Sequence, residues 1–205
     1  MSSNGELFVV SSPSGAGKST LIHRVLDQVP QLVFSVSYTT RPARDGEVHG
    51  RDYFFVSEKE FEERIARNDF LEWAEVYGYR YGTSREFVED CLRDGKDVIL
   101  DIDVQGARQV RENCSTAVLI FVLPPSRREL EDRLKKRRSD SEEAIRRRLA
   151  AARSEIERYR EYNYVIINRE VDPAVEELKA VVLARRCRVE RRREAAEAVA
   201  ATFRE

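Results

Sequence analysis

Apolar residues come in short runs at residues 7–10, 32–37, 98–103, 117–123 and 164–168, and between these runs they recur at three- and four-residue spacing. Short runs without strict alternation suit strands covered on both faces, and the spacing between them suits amphipathic helices. The alternation predicts an α/β chain with a mostly parallel sheet layered between helices. Residues 35–83 break the rhythm. A polar loop at 38–47 carries Pro and Asp-Gly turn signals, an aromatic strand spans 53–56, and strands at 71–77 and 80–83 are joined at Gly78-Tyr79. This stretch reads as a β-rich insertion.

Helix starts are marked by their caps. Ser57 with Glu60, Thr83 with Glu86, and Ser126 with Glu129 have capping-box spacing, and Gly95 suits a left-handed helix end. The helix after Ser126 runs into 135–143, a second spans about 142–160, and Asp172-Pro173 places an N-cap and a first-position proline before a terminal helix. The tail 185–205 is charged, alanine-rich and expected to be helical.

Between the first strand and the first helix lies Ser12-Pro13-Ser14-Gly15-Ala16-Gly17-Lys18-Ser19-Thr20. A strand, a glycine-bearing loop ending in Gly-Lys-Ser and a helix form a phosphate-binding loop, with successive backbone N–H groups and the helix N-terminus facing the anion. Lys18 supplies the point charge, and Ser19 is placed to put its hydroxyl on Mg²⁺. Ser12 stands where the strict pattern has its first glycine. A glycine-rich turn without a ligand has no need of Gly17-Lys18-Ser19 at a helix start, so a nucleoside triphosphate is the expected ligand. Asp101, at the carboxyl end of a buried run, is the candidate magnesium acid, acting through water.

Composition narrows the partners. The 205 residues suffice for one domain with a sizeable insertion, and a net charge of -1 with 36% charged residues gives no overall basic field for nucleic acid. Phosphate affinity must therefore be local. Three widely spaced cysteines, Cys91, Cys114 and Cys187, fit neither a disulfide framework nor a zinc site. The first residues lack a signal-peptide pattern and no apolar run could cross a bilayer, so a soluble, cytoplasmic protein without membrane contact is expected. Arg41 and Arg44 on the polar loop point to a second anion. The arginines at 133–153 could close over both anions, although interleaved acids leave an ordinary solvated helix face open. These residues by themselves indicate phosphoryl transfer between two nucleotide-like substrates, with a motor-type NTPase as the alternative.

Together, Ser-Pro-Ser-Gly-Ala-Gly-Lys-Ser, Ser37-x-Thr-Thr-Arg41-x-x-Arg44-x-Gly-Glu-x-x-Gly-x-x-Tyr53, Glu72-Trp-Ala-Glu, Tyr81-Gly-Thr83-Ser and Asp101-Ile-Asp103-x-Gln-Gly resemble guanylate kinase, in order, over residues 7–183. The resemblance implies a P-loop NTPase fold with a mostly parallel sheet covered by helices. It divides a single domain into a core (5–34, 95–125, 161–205), a GMP-binding subdomain (35–94) and a helical lid (126–160). It implies a nucleoside monophosphate kinase moving the γ-phosphoryl group of ATP to GMP, with Mg²⁺, in purine nucleotide metabolism, as a monomer or homodimer. By position, Ser14 to Thr20 and Asn168 match ATP ligands, Arg41, Arg44, Tyr53 and Tyr81 match GMP-phosphate ligands, and Ser37, Glu72, Thr83 and Asp103 match readers of the guanine base. Arg137 and Arg148 match transition-state arginines of the lid, assisted by Arg133. Glu72 is chemically apt, because guanine presents N1–H and N2–H₂ donors side by side whereas adenine does not. The chain departs from the family with Arg138 in place of the lid glycine and Arg169-Glu170 in place of two acids. Family relatives that serve only as protein-binding modules lose Gly-Lys-Ser, which is intact here, and a kinase for ribose bisphosphate needs no base reader.

Overall fold

The computed structural model describes residues 5–136 and 142–204. Strand Leu7–Ser11 (β1) enters the phosphate loop, and helix Lys18–Leu26 (α1) leaves it. Leu32–Phe34 (β2) is shorter than the expected 32–37 because the chain then crosses to a second sheet, where Tyr38–Thr39 (β3) and Phe54–Phe55 (β4) pair. Helix Glu58–Ala66 (α2), the hairpin Phe70–Val76 (β5) and Tyr79–Ser84 (β6), and helix Arg85–Arg93 (α3) follow. The chain returns with Asp97–Asp101 (β7), Val104–Asn113 (α4) and Val118–Leu123 (β8). Two helices, Arg127–Lys136 (α5) and Glu142–Ile156 (α6), follow, and a 3₁₀ turn, Glu157–Glu161, leads to Tyr164–Ile167 (β9), Val171–Arg186 (α7) and Val189–Ala201 (α8).

The main sheet has the order β2-β7-β1-β8-β9 and is parallel at every pairing. Its strands are apolar throughout because both faces are covered. Phe8 and Val10 of β1 pack with Leu21, Ile22 and Val25 of α1 and Leu178 of α7, whereas Leu7 and Val9 pack with Val88 of α3 and Val110 of α4. Phe8, Val9 and Val10 are wholly buried, each contributing about 1.5–3 kcal/mol by leaving water. The second sheet, β4-β3-β6-β5, is mixed and supplies the expected β-rich insertion. The C-terminal ends of β1 and β7 open on the same edge, which is where ligands bind in sheets of this kind.

Two expected caps form: Ser57 Oγ accepts from Glu60 N–H and Ser126 Oγ from Glu129 N–H, each at 3.1 Å. Other boundaries differ for physical reasons. The β5–β6 turn is Tyr77-Gly78, not Gly78-Tyr79, since Tyr79 already pairs with Val76 and both turn residues take left-handed φ (53° and 81°), as a tight two-residue hairpin requires. Helix α3 is capped by Ser84, whose Oγ accepts from Phe87 N–H; Thr83 is still in β6, and its hydroxyl turns inward to Glu72. Helix α7 begins at Val171, so Asp172 is not its cap and instead pairs with Arg24, while Pro173 falls within the first turn, where its missing N–H has no intrahelical partner to lose. The second lid helix ends at Ile156, and the tail helix breaks at Cys187-Arg188. No cap was read for helix α4: Asp103 is not a strand residue but its N-cap.

Candidate active site

The phosphate loop is held from behind. Gly17 has φ 93°, and a Cβ there would lie 2.5 Å from Asn168 Nδ2, so both its dihedral and its space require glycine. Asn168 Nδ2 donates to the Ala16 carbonyl at 2.7 Å, and Arg133 donates to the carbonyls of Ala16 (3.3 Å) and Asn168 (2.9 Å). Arg133 therefore braces the loop. Lys18 Nζ donates to the Ile102 carbonyl at 2.8 Å and forms an ion pair with Asp101, whose other oxygen accepts from Ser19 Oγ at 2.6 Å. A cation, a hydroxyl and a carboxylate thus converge where the helix dipole is positive. Among the described residues no group of three or more His, Cys, Asp or Glu side chains is gathered as a metal centre, so Ser19 with Asp101 is the pair suited to a magnesium ion that also takes phosphate oxygens.

In front of the loop lies a cavity of about 360 Å³. Its wall carries Ser14, Gly15, Gly17, Lys18, Ser19 and Thr20 of the phosphate loop with Asp101 bonded to them, and also Ser37, Tyr53, Glu72, Tyr81 and Asp103. Most residues selected from the sequence therefore meet in one space. Ala16, Arg41, Arg44, Thr83, Arg148 and Asn168 do not line it. Ala16 and Asn168 support the loop; Thr83 supports Glu72; Arg44 has an exposed side chain, with its backbone N–H given to Glu47 Oε2 at 2.7 Å. The buried Arg41 pairs with Glu47 at 2.8 Å and stands 5.3 Å from the centre of the Tyr53 ring, and the hydrogen bond it donates to Glu47 is the chief cause that raises its pKa. Burial likewise raises the Tyr53 phenol, which packs edge-on to Tyr81 at 5.9 Å.

Glu72 and Asp103 are the two acids of the cavity outside the phosphate-loop cluster. Glu72 is 4% exposed, and Thr83 Oγ1 donates to its Oε1 at 2.6 Å. Burial pushes its carboxyl up to about 7; the Thr83 hydrogen bond opposes this, Asp103 adds to it, and Lys18 opposes it. Asp103 is fixed by its own helix: Oδ1 accepts from the backbone N–H of Gln105 (3.1 Å) and Gly106 (2.9 Å), and Oδ2 accepts from Gln105 Nε2 (3.0 Å).

Helices α5 and α6 share a small core of Leu130, Leu134, Ile145 and Ala152. Arg148 lies 6.0 Å from the ring centre of Tyr77, a cavity residue not foreseen in the sequence. Arg137 and Arg138 lie outside the described residues. The other unforeseen wall residue with chemistry is Glu155, which accepts from the backbone of Ser14 and whose pKa is raised by burial and by Asp103. A signal for it exists: Ile145, Arg148, Ala152 and Glu155 fall at helical spacing on one face, and Ile145 and Ala152 are buried.

A phosphate loop at the edge of a parallel sheet, facing an insertion that presents half-buried tyrosines and the buried Glu72, with Asp103 of the core in the same cavity, defines a P-loop phosphotransferase with room for two substrates. The profile of the guanylate kinase family matches residues 4–185. A guanylate kinase of Geobacter metallireducens is 53% identical over 188 residues, spanning 92% of this chain and 93% of the relative, and that of Escherichia coli K12 is 51% identical over 192 residues, spanning 93% of each. The crystal structure of guanylate kinase from Anaplasma phagocytophilum superposes with a TM-score of 0.78 at 35% identity, covering 93% of this chain and 90% of that one. The chain belongs to the guanylate kinase family, enzymes that transfer a phosphoryl group from ATP to GMP.

Proposed function

We propose that this chain phosphorylates GMP with the residues assembled in the cavity. ATP places its phosphates on the backbone N–H groups of residues 14–20, with Lys18 following the charge from ground state to transition state. Ser19 Oγ would hold Mg²⁺, with Asp101 reaching it through water, and the bound ion would supply neutralising charge at the phosphate oxygens. Arg41, Arg44, Tyr53 and Tyr81 bind the GMP phosphate; Ser37, Glu72, Thr83 and Asp103 read the base. A GMP phosphate oxygen attacks the γ-phosphorus, the bond to the β-phosphate oxygen breaks, and ADP and GDP result. Arg137 and Arg148 neutralise charge on the transferring group once the lid closes, and positioning with electrostatics supplies most of the rate. A cytoplasmic role in recycling GMP follows from this chemistry, and among the described residues no helix is long and apolar enough to cross a membrane.

The observation that carries this reading is Glu72: a buried carboxylate with a hydroxyl donor on one oxygen, in the same cavity as the phosphate loop. Such a group discriminates strongly, since a ligand lacking the matching donors leaves it unpaired. The test is label transfer from γ-labelled ATP. Label should pass to GDP when GMP is present, with little inorganic phosphate; label released as phosphate at one rate with and without GMP would overturn the reading.

A further inference from the structure

Gly106 touches both acids at the base end of the cavity. Its N–H donates to Asp103 Oδ1 at 2.9 Å, and a Cβ built on its backbone would lie 2.4 Å from Glu72 Oε2 and 3.0 Å from Glu72 Cδ. Non-bonded carbon and oxygen atoms do not approach to 2.4 Å without displacement. Gly106 is helical and is not among the positive-φ residues, so its backbone does not require glycine. In a helix, glycine is instead less favourable than alanine. Space for the carboxylate is the gain that offsets this cost.

We infer that Gly106 is a positioning residue for base choice: the missing side chain is the slot that seats the Glu72 carboxylate against helix α4. The carboxylate is held at both oxygens: Thr83 donates to Oε1 at 2.6 Å and Gly106 faces Oε2, while Ile102 Cδ1, 3.3 Å from where the Cβ would be, closes the space beside the slot. Its open side is the cavity, so a methyl group at 106 drives the carboxylate into the space that the base must fill. Helix α4 thus aligns two acids at once, Asp103 through an N–H and Glu72 through an absence. The inference rests on Glu72 being the acceptor of the guanine donors.

The test is Gly106→Ala in the full chain, alone and with Glu72→Ala. Gly106→Ala should keep or raise Tm, leave the KM for ATP within twofold, and lower kcat/KM for GMP at least about tenfold. The preference for GMP over IMP, which lacks the 2-amino donors, should shrink in parallel; general loosening of the fold would not produce that selective change. With Glu72→Ala already present there is no carboxylate to displace, so adding Gly106→Ala should change kcat/KM less than twofold. If Gly106→Ala lowers Tm, Glu72→Ala must restore it. A GMP preference within twofold of wild type, or an equal loss in both backgrounds, overturns the inference. If Glu72→Ala itself leaves GMP kinetics normal, the base-reading assignment fails and the slot fails with it; an impaired Glu72→Ala beside a normal Gly106→Ala refutes the slot alone.

Discussion

Replacing Glu72 by glutamine should move stability and GMP recognition in opposite directions. Burial is the main reason its carboxyl titrates at about 7 rather than 4.5. A carboxyl whose pKa is higher in the folded than in the unfolded chain favours the protonated fold, so stability rises as pH falls from about 7 toward 4.5. Above pH 7 the ionised acid costs the ligand-free protein about 3 kcal/mol. An amide keeps an acceptor for the Thr83 hydroxyl and carries no charge. Glu72→Gln should therefore raise unfolding free energy at pH 8 by up to about 3 kcal/mol, and change it little at pH 4. GMP needs the charge. The amide presents a donor to the guanine donors, and kcat/KM for GMP should fall by about 2–4 kcal/mol, roughly 30- to 1,000-fold. In the wild type, kcat/KM for GMP should decline about tenfold per pH unit below 7. The GMP phosphate itself titrates near pH 6, so the inflection near 7 is assigned by its loss in Glu72→Gln. Denaturant melts at pH 8 and 4, with GMP and ATP kinetics across pH 5.5–8.5, make the measurement. A Glu72→Gln protein less stable than wild type at pH 8, or a flat wild-type GMP profile from pH 6 to 8, would refute the reasoning.

Lys18→Ala should lower kcat at least about a hundredfold with circular dichroism unchanged, because the ammonium follows charge onto the transferring group; near-normal turnover would remove the phosphate-loop assignment. Arg137→Ala should cut kcat about 10² or more with KM changed only a few-fold, and lysine should rescue poorly for want of a planar fork. Arg138→Gly is the control and should stay within a few-fold of wild type; a large loss there with a normal Arg137→Ala would shift the lid alignment by one residue. Glu155 brings a carboxylate to the phosphate loop beside Ser14, so Glu155→Gln should tighten ATP binding several-fold in calorimetry by removing a competing charge, and unchanged or weaker binding would exclude that role.

What the sequence disclosed was local. The phosphate loop is contiguous, and its glycines and lysine declare their use through spacing alone. The sheet strands were legible because burial on both faces leaves an unbroken apolar run. The failures arose where two neighbouring residues offered the same chemistry and tertiary burial chose between them. Thr83 and Ser84 can both cap a helix; the strand turns Thr83 inward to Glu72, and Ser84 takes the cap. Asp103 closes an apolar run and so resembled a strand residue, though its carboxylate opens α4. Gly106 could not be read from local pattern, and the helical spacing that puts Glu155 on the inner face of α6 says nothing of the phosphate loop. Their meaning is a close approach to residues distant in sequence, Glu72 in one case and Ser14 in the other.

The central claim is a base-reading phosphotransferase, and ADP release at fixed ATP and Mg²⁺ tests it most directly, with GMP, AMP, CMP, UMP and ribose 1,5-bisphosphate offered in parallel. A pocket built to pair guanine donors should give GMP a kcat/KM at least about a thousandfold above every other acceptor. Comparable turnover with AMP or with ribose 1,5-bisphosphate, or ADP release that needs no acceptor, would contradict it.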